Sequence, residues 1–272
     1  MIIGISGKKQ HGKDTVANII QYLTSNGDEI YSFEEWINHY KEREKYKTLP
    51  DFQWKKKQFA SKLKQVVSLF IGCTVEQLED NDFKEKELGE EWKVWFWAHY
   101  KLKRDSDPSG RLGKIKATIQ EATAEKQKWS PSFGEGEIGS YIPTPRKLLQ
   151  LMGTECGRET LHPNIWINAL MADYKRQDTH KHYPDGIGKY PNWIITDVRF
   201  PNEVEAIKNK GGLVFRVNRV GITSTDDHPS ETALDSYTQW DGIILNNDMQ
   251  SLIGQVQNYL HYYKILQYDN HD

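Results

Sequence analysis

Ile2-Ile3-Gly4-Ile5-Ser6-Gly7-Lys8-Lys9-Gln10-His11-Gly12-Lys13-Asp14-Thr15-Val16 decides the fold. Residues 2–6 form a short apolar run that reads as a buried strand. A glycine-punctuated loop follows. Val16, Ile19, Ile20 and Leu23 then recur at helical spacing. Gly7-to-Lys13 fits G-x-x-x-x-G-K, and strand, loop and helix are the context this motif needs. Gly7 and Gly12 let the backbone wrap so that its N–H groups point inward at an anion. The start of the helix adds its positive end, and Lys13 can reach the β- and γ-phosphates of a nucleotide. The competing reading is a plain glycine turn. Asp14 stands where a serine or threonine normally touches magnesium, and Thr15 follows it directly. Thr15 can offer its hydroxyl to the α-phosphate region or to the metal's water shell. Asp14 either binds a magnesium water or caps the helix. Lys8 and Lys9 make the loop unusually cationic, as though one of them faced a second phosphorylated ligand.

Outward from the loop, residues 25–57 are polar and aromatic, with the charge-dense Lys41-Glu42-Arg43-Glu44-Lys45; they read as a partly helical surface insertion. Phe59, Leu63, Val66, Val67 and Phe70 predict a helix over 58–71. Residues 80–143 are the least regular stretch, and Trp92–Trp97 reads as local packing. Pro145 opens a further helix, and another runs from Asn164 to Tyr174. His180 and His182 fall in a polar loop and read as surface histidines. Trp193-Ile194-Ile195-Thr196-Asp197 is a buried strand ending in an acid. A helix from Pro201 to Asn209 is closed by Gly211-Gly212. Strands at 213–217 and 242–245 and a C-terminal helix from about Met249 complete the chain. Short, wholly apolar strands alternating with helices imply a mainly parallel sheet covered on both faces. Ligands of such sheets sit beyond the carboxyl ends of the strands, so Ser6, Asp197 and Val217 should share one rim.

Composition narrows the function classes. Lys+Arg is 36 against Asp+Glu 38, which argues against a dedicated nucleic-acid coat. Two cysteines, Cys73 and Cys156, without a CxxC exclude a disulfide framework and a cysteine-rich zinc site. They read as unpaired thiols in a reducing compartment. No apolar run approaches the roughly 18 residues that span a bilayer, and the N-terminus lacks signal-peptide character, so a cytoplasmic protein is expected.

Four segments together resemble the deoxynucleoside monophosphate kinase family of tailed bacteriophages: Gly7-to-Thr15, Phe59-to-Lys64, Thr144-Pro145-Arg146-Lys147-Leu148-Leu149-Gln150-Leu151-Met152-Gly153-Thr154-Glu155, and Ile195-to-Glu203. Weaker support comes from Val217-to-Gly221, His228-Pro229-Ser230-Glu231 and Asn246-Asn247-Asp248. The resemblance fails in residues 25–57 and 89–143, read as insertions that act as a lid or on the acceptor side. It implies a P-loop NTPase three-layer α/β/α sandwich, a single nucleotide kinase domain over 1–272. The implied reaction is transfer of the γ-phosphoryl group of Mg-ATP to a deoxynucleoside 5′-monophosphate, in phage DNA precursor synthesis. A homodimer in the host cytoplasm, with no stable nucleic-acid partner and no membrane, is implied as well.

Carried over by motif position, His11, Gly12, Lys13, Asp14 and Thr15 contact ATP, together with Gly7. Lys9, Leu63, Lys64, Lys84, Arg146, Gly153, Thr154, Trp166 and Asp197 serve the acceptor. Lys13, Arg146, Asp197 and Arg199 are the catalytic candidates, and Asp14 and Thr15 serve magnesium, directly or through water. Several have bland alternatives: Trp166 as core, Arg146 as a surface helix charge, Asp197 as a helix cap or a partner of Arg199, and Glu203 as a first-turn acid. Asn202 is a weaker candidate. Arg219 stands in Arg-Val-Gly where the family tends to have Arg-Pro-Gly, and His228 with Glu231 is either a loop clamp or a cap. A kinase for another small phosphorylated acceptor, and a nucleotide-dependent switch without an acceptor, are the competing functions.

Overall fold

A computed structural model describes residues 1–25, 32–46, 52–99, 136–176, 188–219, 221 and 229–266. His180, His182 and His228 lie outside the described residues. The chain divides into two compact units, Met1–Lys62 with Asn164–Asp272, and Leu63–Pro163.

The first unit is built on a five-stranded sheet. Its strands are β1 (Ile2–Ser6), β2 (Trp54–Lys57), β5 (Asn192–Val198), β6 (Leu213–Asn218) and β7 (Gly242–Leu245), in the order β2-β5-β1-β6-β7 and all parallel. Successive side chains point to opposite faces, and the sequence fills both with apolar groups. Ile3, Ile5, Ile194, Phe215, Val217 and Ile244 pack with Val16, Ile19 and Ile20 of α1 (Lys13–Thr24) and with Leu252, Val256 and Leu260 of α9 (Met249–Tyr262). Ile2, Trp193, Ile195 and Val214 pack with Ile167 and Leu170 of α6 (Ile165–Met171) and with Val204 and Ile207 of α7 (Pro201–Lys208). The result is the expected three-layer α/β/α arrangement. Gly4 belongs to the second face because a Cβ there would lie 2.6 Å from Ile207 Cδ1.

Residues 25–57 are more than a surface insertion. The helix α2 (Phe33–Lys45) starts on a reciprocal capping box between Ser32 and Glu35 and buries Phe33 and Tyr40. Trp54–Lys57 is an edge strand of the sheet, paired with β5, with Trp54 in the core. Three consecutive lysines hid this strand. Lys56 lies over the Tyr40 ring and donates to Asn18 Oδ1 at 2.9 Å, and Lys57 lies over the Trp193 ring. Each holds its ammonium over an aromatic ring, and the charges guard the edge. At the opposite edge, α9 side chains occupy the free backbone groups of β7. Tyr259 Oη meets the N–H and C=O of Ile243, and Gln255 does the same for Leu245.

The second unit contains most of α3 (Ala60–Ile71), the short α4 (Asn81–Glu85), and an antiparallel pair, β3 (Val94–His99) with β4 (Gly136–Tyr141). It ends with α5 (Pro145–Leu151), whose N-terminus is capped by the Thr144 hydroxyl. The predicted helix at Pro145 does not stop at Met152. It continues over Met152–Leu161 as a wider, π-type helix, closed by the His162 N–H bonding to the Gly157 carbonyl at 2.9 Å. Both cysteines are unpaired, as expected.

Candidate active site

The loop between β1 and α1 has the geometry its glycines predict. Gly7 (φ 155°) and Gly12 (φ 95°) both adopt positive φ. A Cβ on Gly7 would meet the Val217 carbonyl at 2.7 Å, so both conformation and space require glycine. Gln10 is left-handed without being glycine (φ 65°). Gly12 caps α1, and no side chain supplies a capping bond. Asp14 is therefore not the helix cap; it is an exposed acid in the first turn.

Lys13 folds back over the loop, its ammonium donating to the Gly7 carbonyl at 2.7 Å and the Lys8 carbonyl at 2.8 Å. Burial pushes its pKa down from 10.5 to about 8. The Arg199 charge adds to this, and Glu231, Asp14 and Asp197 oppose it. His11 is buried. Its Nδ1 lies 3.2 Å from the Val217 carbonyl, which can only accept, so Nδ1 carries the proton. Nε2 is buried with no hydrogen-bond partner among the described residues.

The carboxyl ends of β1, β5 and β6 meet at one rim, as predicted: Ser6 is in register with Val198 and with Arg216. Asp197 ends β5, and its two carboxylate oxygens accept the Phe59 and Ala60 N–H groups at 2.8 and 2.9 Å. It anchors the start of α3 by capping that helix end. Its charge nevertheless reaches Lys13. Arg199 follows on the same rim. Its backbone N–H and that of Phe200 are held by Glu203 Oε2 at 2.7 and 3.0 Å, so this buried glutamate fixes the turn that presents Arg199. The Arg199 guanidinium pairs with Glu231, whose other oxygen accepts the Lys9 N–H at 3.2 Å. Lys8 and Arg216 both meet Asp235, at 2.9 and 3.4 Å, and Arg216 also donates to Ser6 Oγ. Asn202 bonds Asn164 at 2.7 Å. Arg219 is exposed. Trp166 is 6% exposed, which leaves it able to wall off a ligand but not to offer an open face.

The second unit carries the remaining acceptor candidates. Leu63 is buried and explains Gly153: a Cβ there would sit 3.1 Å from Leu63 Cδ2. Lys64 pairs with Glu79 at 2.5 Å, and Arg146, half-buried on α5, pairs with Glu85. Lys84 lies on α4 and Thr154 on the wide helix, both half-buried.

Sequence reasoning gave little weight to three residues that shape the rim. Glu231 had appeared only in a loose pairing with His228. Arg216 was hidden inside a strand. Asn246 donates through Nδ2 to the His11 carbonyl at 2.9 Å. Its signal was available: a polar residue directly after a strand that should end on the functional rim.

Residues 141–255 match the family model described as deoxynucleotide monophosphate kinase. The chain is 28% identical over 250 residues to the deoxynucleoside-5′-monophosphate kinase of Escherichia phage T5, covering 86% of this chain and 85% of that protein. It is 39% identical over 109 residues to a putative deoxynucleotide monophosphate kinase of Acanthamoeba polyphaga mimivirus, spanning 38% of this chain and 54% of the relative. A deoxynucleotide monophosphate kinase of Escherichia phage RB69 aligns over 117 residues at 26%, spanning 42% of this chain and 44% of the relative. With its phosphate loop and its parallel sheet, the chain is similar to the deoxynucleotide monophosphate kinases.

Proposed function

We propose that the protein transfers the γ-phosphoryl group of ATP to a deoxynucleoside 5′-monophosphate, giving ADP and the deoxynucleoside diphosphate. The observation that carries this reading is the rim itself: Lys13 inside a glycine-wrapped loop, with Arg199 close enough to depress its pKa. An acceptor-phosphate oxygen attacks the γ-phosphorus as its bond to the β–γ bridging oxygen breaks. The reaction needs crowded phosphate charge neutralised and two anions held in line, and little covalent chemistry. Lys13 exchanges the Gly7 and Lys8 carbonyls for β- and γ-phosphate oxygens. Arg199 stabilises charge on the transferred group.

Thr15 and Asp14 offer hard oxygen donors at the start of α1, which suits magnesium. Magnesium takes one or two protein oxygens and fills its shell with phosphate and water. Bound there, it would neutralise phosphate charge. Asp197 contributes its field and, through α3, its anchoring role. Leu63, Lys64, Lys84, Arg146, Gly153 and Thr154 are assigned to the acceptor, with Lys9 on the loop and Trp166 as a wall. Residues 1–272 act as one kinase, with 89–143 and the outer part of 25–57 as elaborations. The kinase works in the host cytoplasm as a homodimer, without a nucleic-acid partner. No helix among the described residues is long and apolar enough to cross a membrane.

The test is ADP formation from Mg-ATP by purified protein, with each deoxy- and ribonucleoside monophosphate added in turn. The expected result is stimulation by deoxy acceptors, matching diphosphate formed, and no activity in Lys13→Ala. ATP binding with no stimulation by any monophosphate would overturn the reading and favour another acceptor or a switch.

A further inference from the structure

We infer that Asn246 is a positioning residue for the phosphate loop: it sets the peptide between His11 and Gly12, and so aims the Gly12 N–H. This rests on reading Gly7–Thr15 as an anion-binding loop.

Three hydrogen bonds form a closed clasp between the loop and the ends of two strands. The Asn246 backbone N–H donates to the Asn218 carbonyl at 2.8 Å, locking the end of β7 to the end of β6. Asn246 Nδ2 donates to the His11 carbonyl at 2.9 Å. The His11 ring returns to β6, its Nδ1 donating to the Val217 carbonyl at 3.2 Å. Thus the loop residue before Gly12 is gripped twice, by backbone and by side chain, from adjacent strands.

The consequence follows from peptide geometry. The His11 carbonyl and the Gly12 N–H belong to one planar trans group and point in opposite directions. Holding the carbonyl on Asn246 turns the N–H away from Asn246. Loop N–H groups are the donors with which a phosphate loop holds its ligand. Gly12 also has no side chain where Asn246 sits, since a Cβ there would lie 2.3 Å from Asn246 Nδ2. The close approach and the glycine are therefore two halves of one device.

The experiment uses the full chain and pyrophosphate, which has no base, so that a loss cannot come from contacts to adenine. Binding is measured calorimetrically for the natural protein, Lys13→Ala, Asn246→Ala and Asn246→Leu; leucine keeps the branched shape and removes the donor. The expected result is a pyrophosphate Kd raised about tenfold in both Asn246 variants, the size of one lost hydrogen bond. KM for ATP should rise likewise, with a melting temperature lowered by only a few degrees for Asn246→Leu. The Gly12 amide resonance, which should move on pyrophosphate addition to the natural protein, should move less in either variant at equal saturation. Natural-strength pyrophosphate binding by both Asn246 variants, with Lys13→Ala impaired, would overturn the inference and leave the loop reading intact. Failure of the natural protein to bind pyrophosphate would overturn both.

Discussion

Lys13 should take up a proton when a nucleotide binds, and the amount can be worked from its surroundings. Its ammonium is held by two carbonyls, buried, and near Arg199, which brings its pKa to about 8. A triphosphate replaces neutral carbonyls with anionic oxygens and must raise that pKa. At pH 8 about half of Lys13 is neutral before binding, so uptake should be about 0.5 proton; at pH 9 it should approach 0.9, and at pH 7 fall to about 0.1. The terminal phosphate ionises near pH ~6, so it contributes little at pH 8 and above. The assay is titration calorimetry in buffers of different ionisation enthalpy, where the slope of apparent enthalpy counts protons. Affinity for ATP should fall nearly tenfold per pH unit above about pH 9. Tight binding at pH 9 with a slope near zero would refute the depressed Lys13 pKa. A slope retained in Lys13→Met would assign the proton elsewhere. The same shift predicts stability. A lysine whose pKa is lower in the folded protein costs stability wherever both states are charged, which means below about pH 8. The cost, on the order of 3 kcal/mol, is relieved as pH rises from 8 toward 10.5, because the unfolded chain then holds the extra proton.

Two further outcomes follow from particular contacts. Asp197→Ala removes both acceptors at the start of α3 and should cost about 2 kcal/mol, lowering the melting temperature by roughly 4–8 °C; an unchanged melting curve with activity lost would instead make Asp197 purely a chemical group. Gly12→Ala forces an alanine to φ 95° and pushes its Cβ against Asn246, so pyrophosphate binding should be lost or cut more than tenfold, while far-ultraviolet circular dichroism stays native. Full binding by this variant would show that the loop does not need its present path.

Much of the fold was legible because it depends on local pattern. Each strand of the sheet except β2 is an apolar run, and α1, α7 and α9 carry apolar residues at helical spacing beside them. The rim was legible too, since parallel strands must end together. β2 was not, because Trp54 is followed by three lysines. Their place on an edge depends on Tyr40, Asn18 and Trp193, which are distant in the chain. The wide turn over Met152–Leu161 has no periodic signature of its own. Asp197 was legible as a rim carboxylate and, in its alternative reading, as a helix cap; that the helix is α3 was not, since its partners are backbone N–H groups that carry no sequence signal. Asn246 was legible by its place after a rim strand, but not its contact, since what it holds is a carbonyl.

The rim explains how a chain of formal net charge -2 can offer a cationic site. Lys8 and Arg216 share Asp235, and Arg199 is matched by Glu231. Paired in this way, these cations do not repel one another enough to destabilise the fold, although an arriving phosphate would compete with a carboxylate for each. Lys13 differs in kind. Its observed acceptors are neutral carbonyls, so exchanging them for phosphate oxygens breaks no ion pair and gains a full charge interaction. In the proposed reaction that asymmetry would order ligand capture: phosphate would engage Lys13 and the loop N–H groups first, and would reach Arg199 in competition with Glu231. Since Glu231 also accepts the Lys9 N–H, displacing it would free a loop donor. In that reaction, freeing Arg199 and completing the phosphate cradle would both act through Glu231.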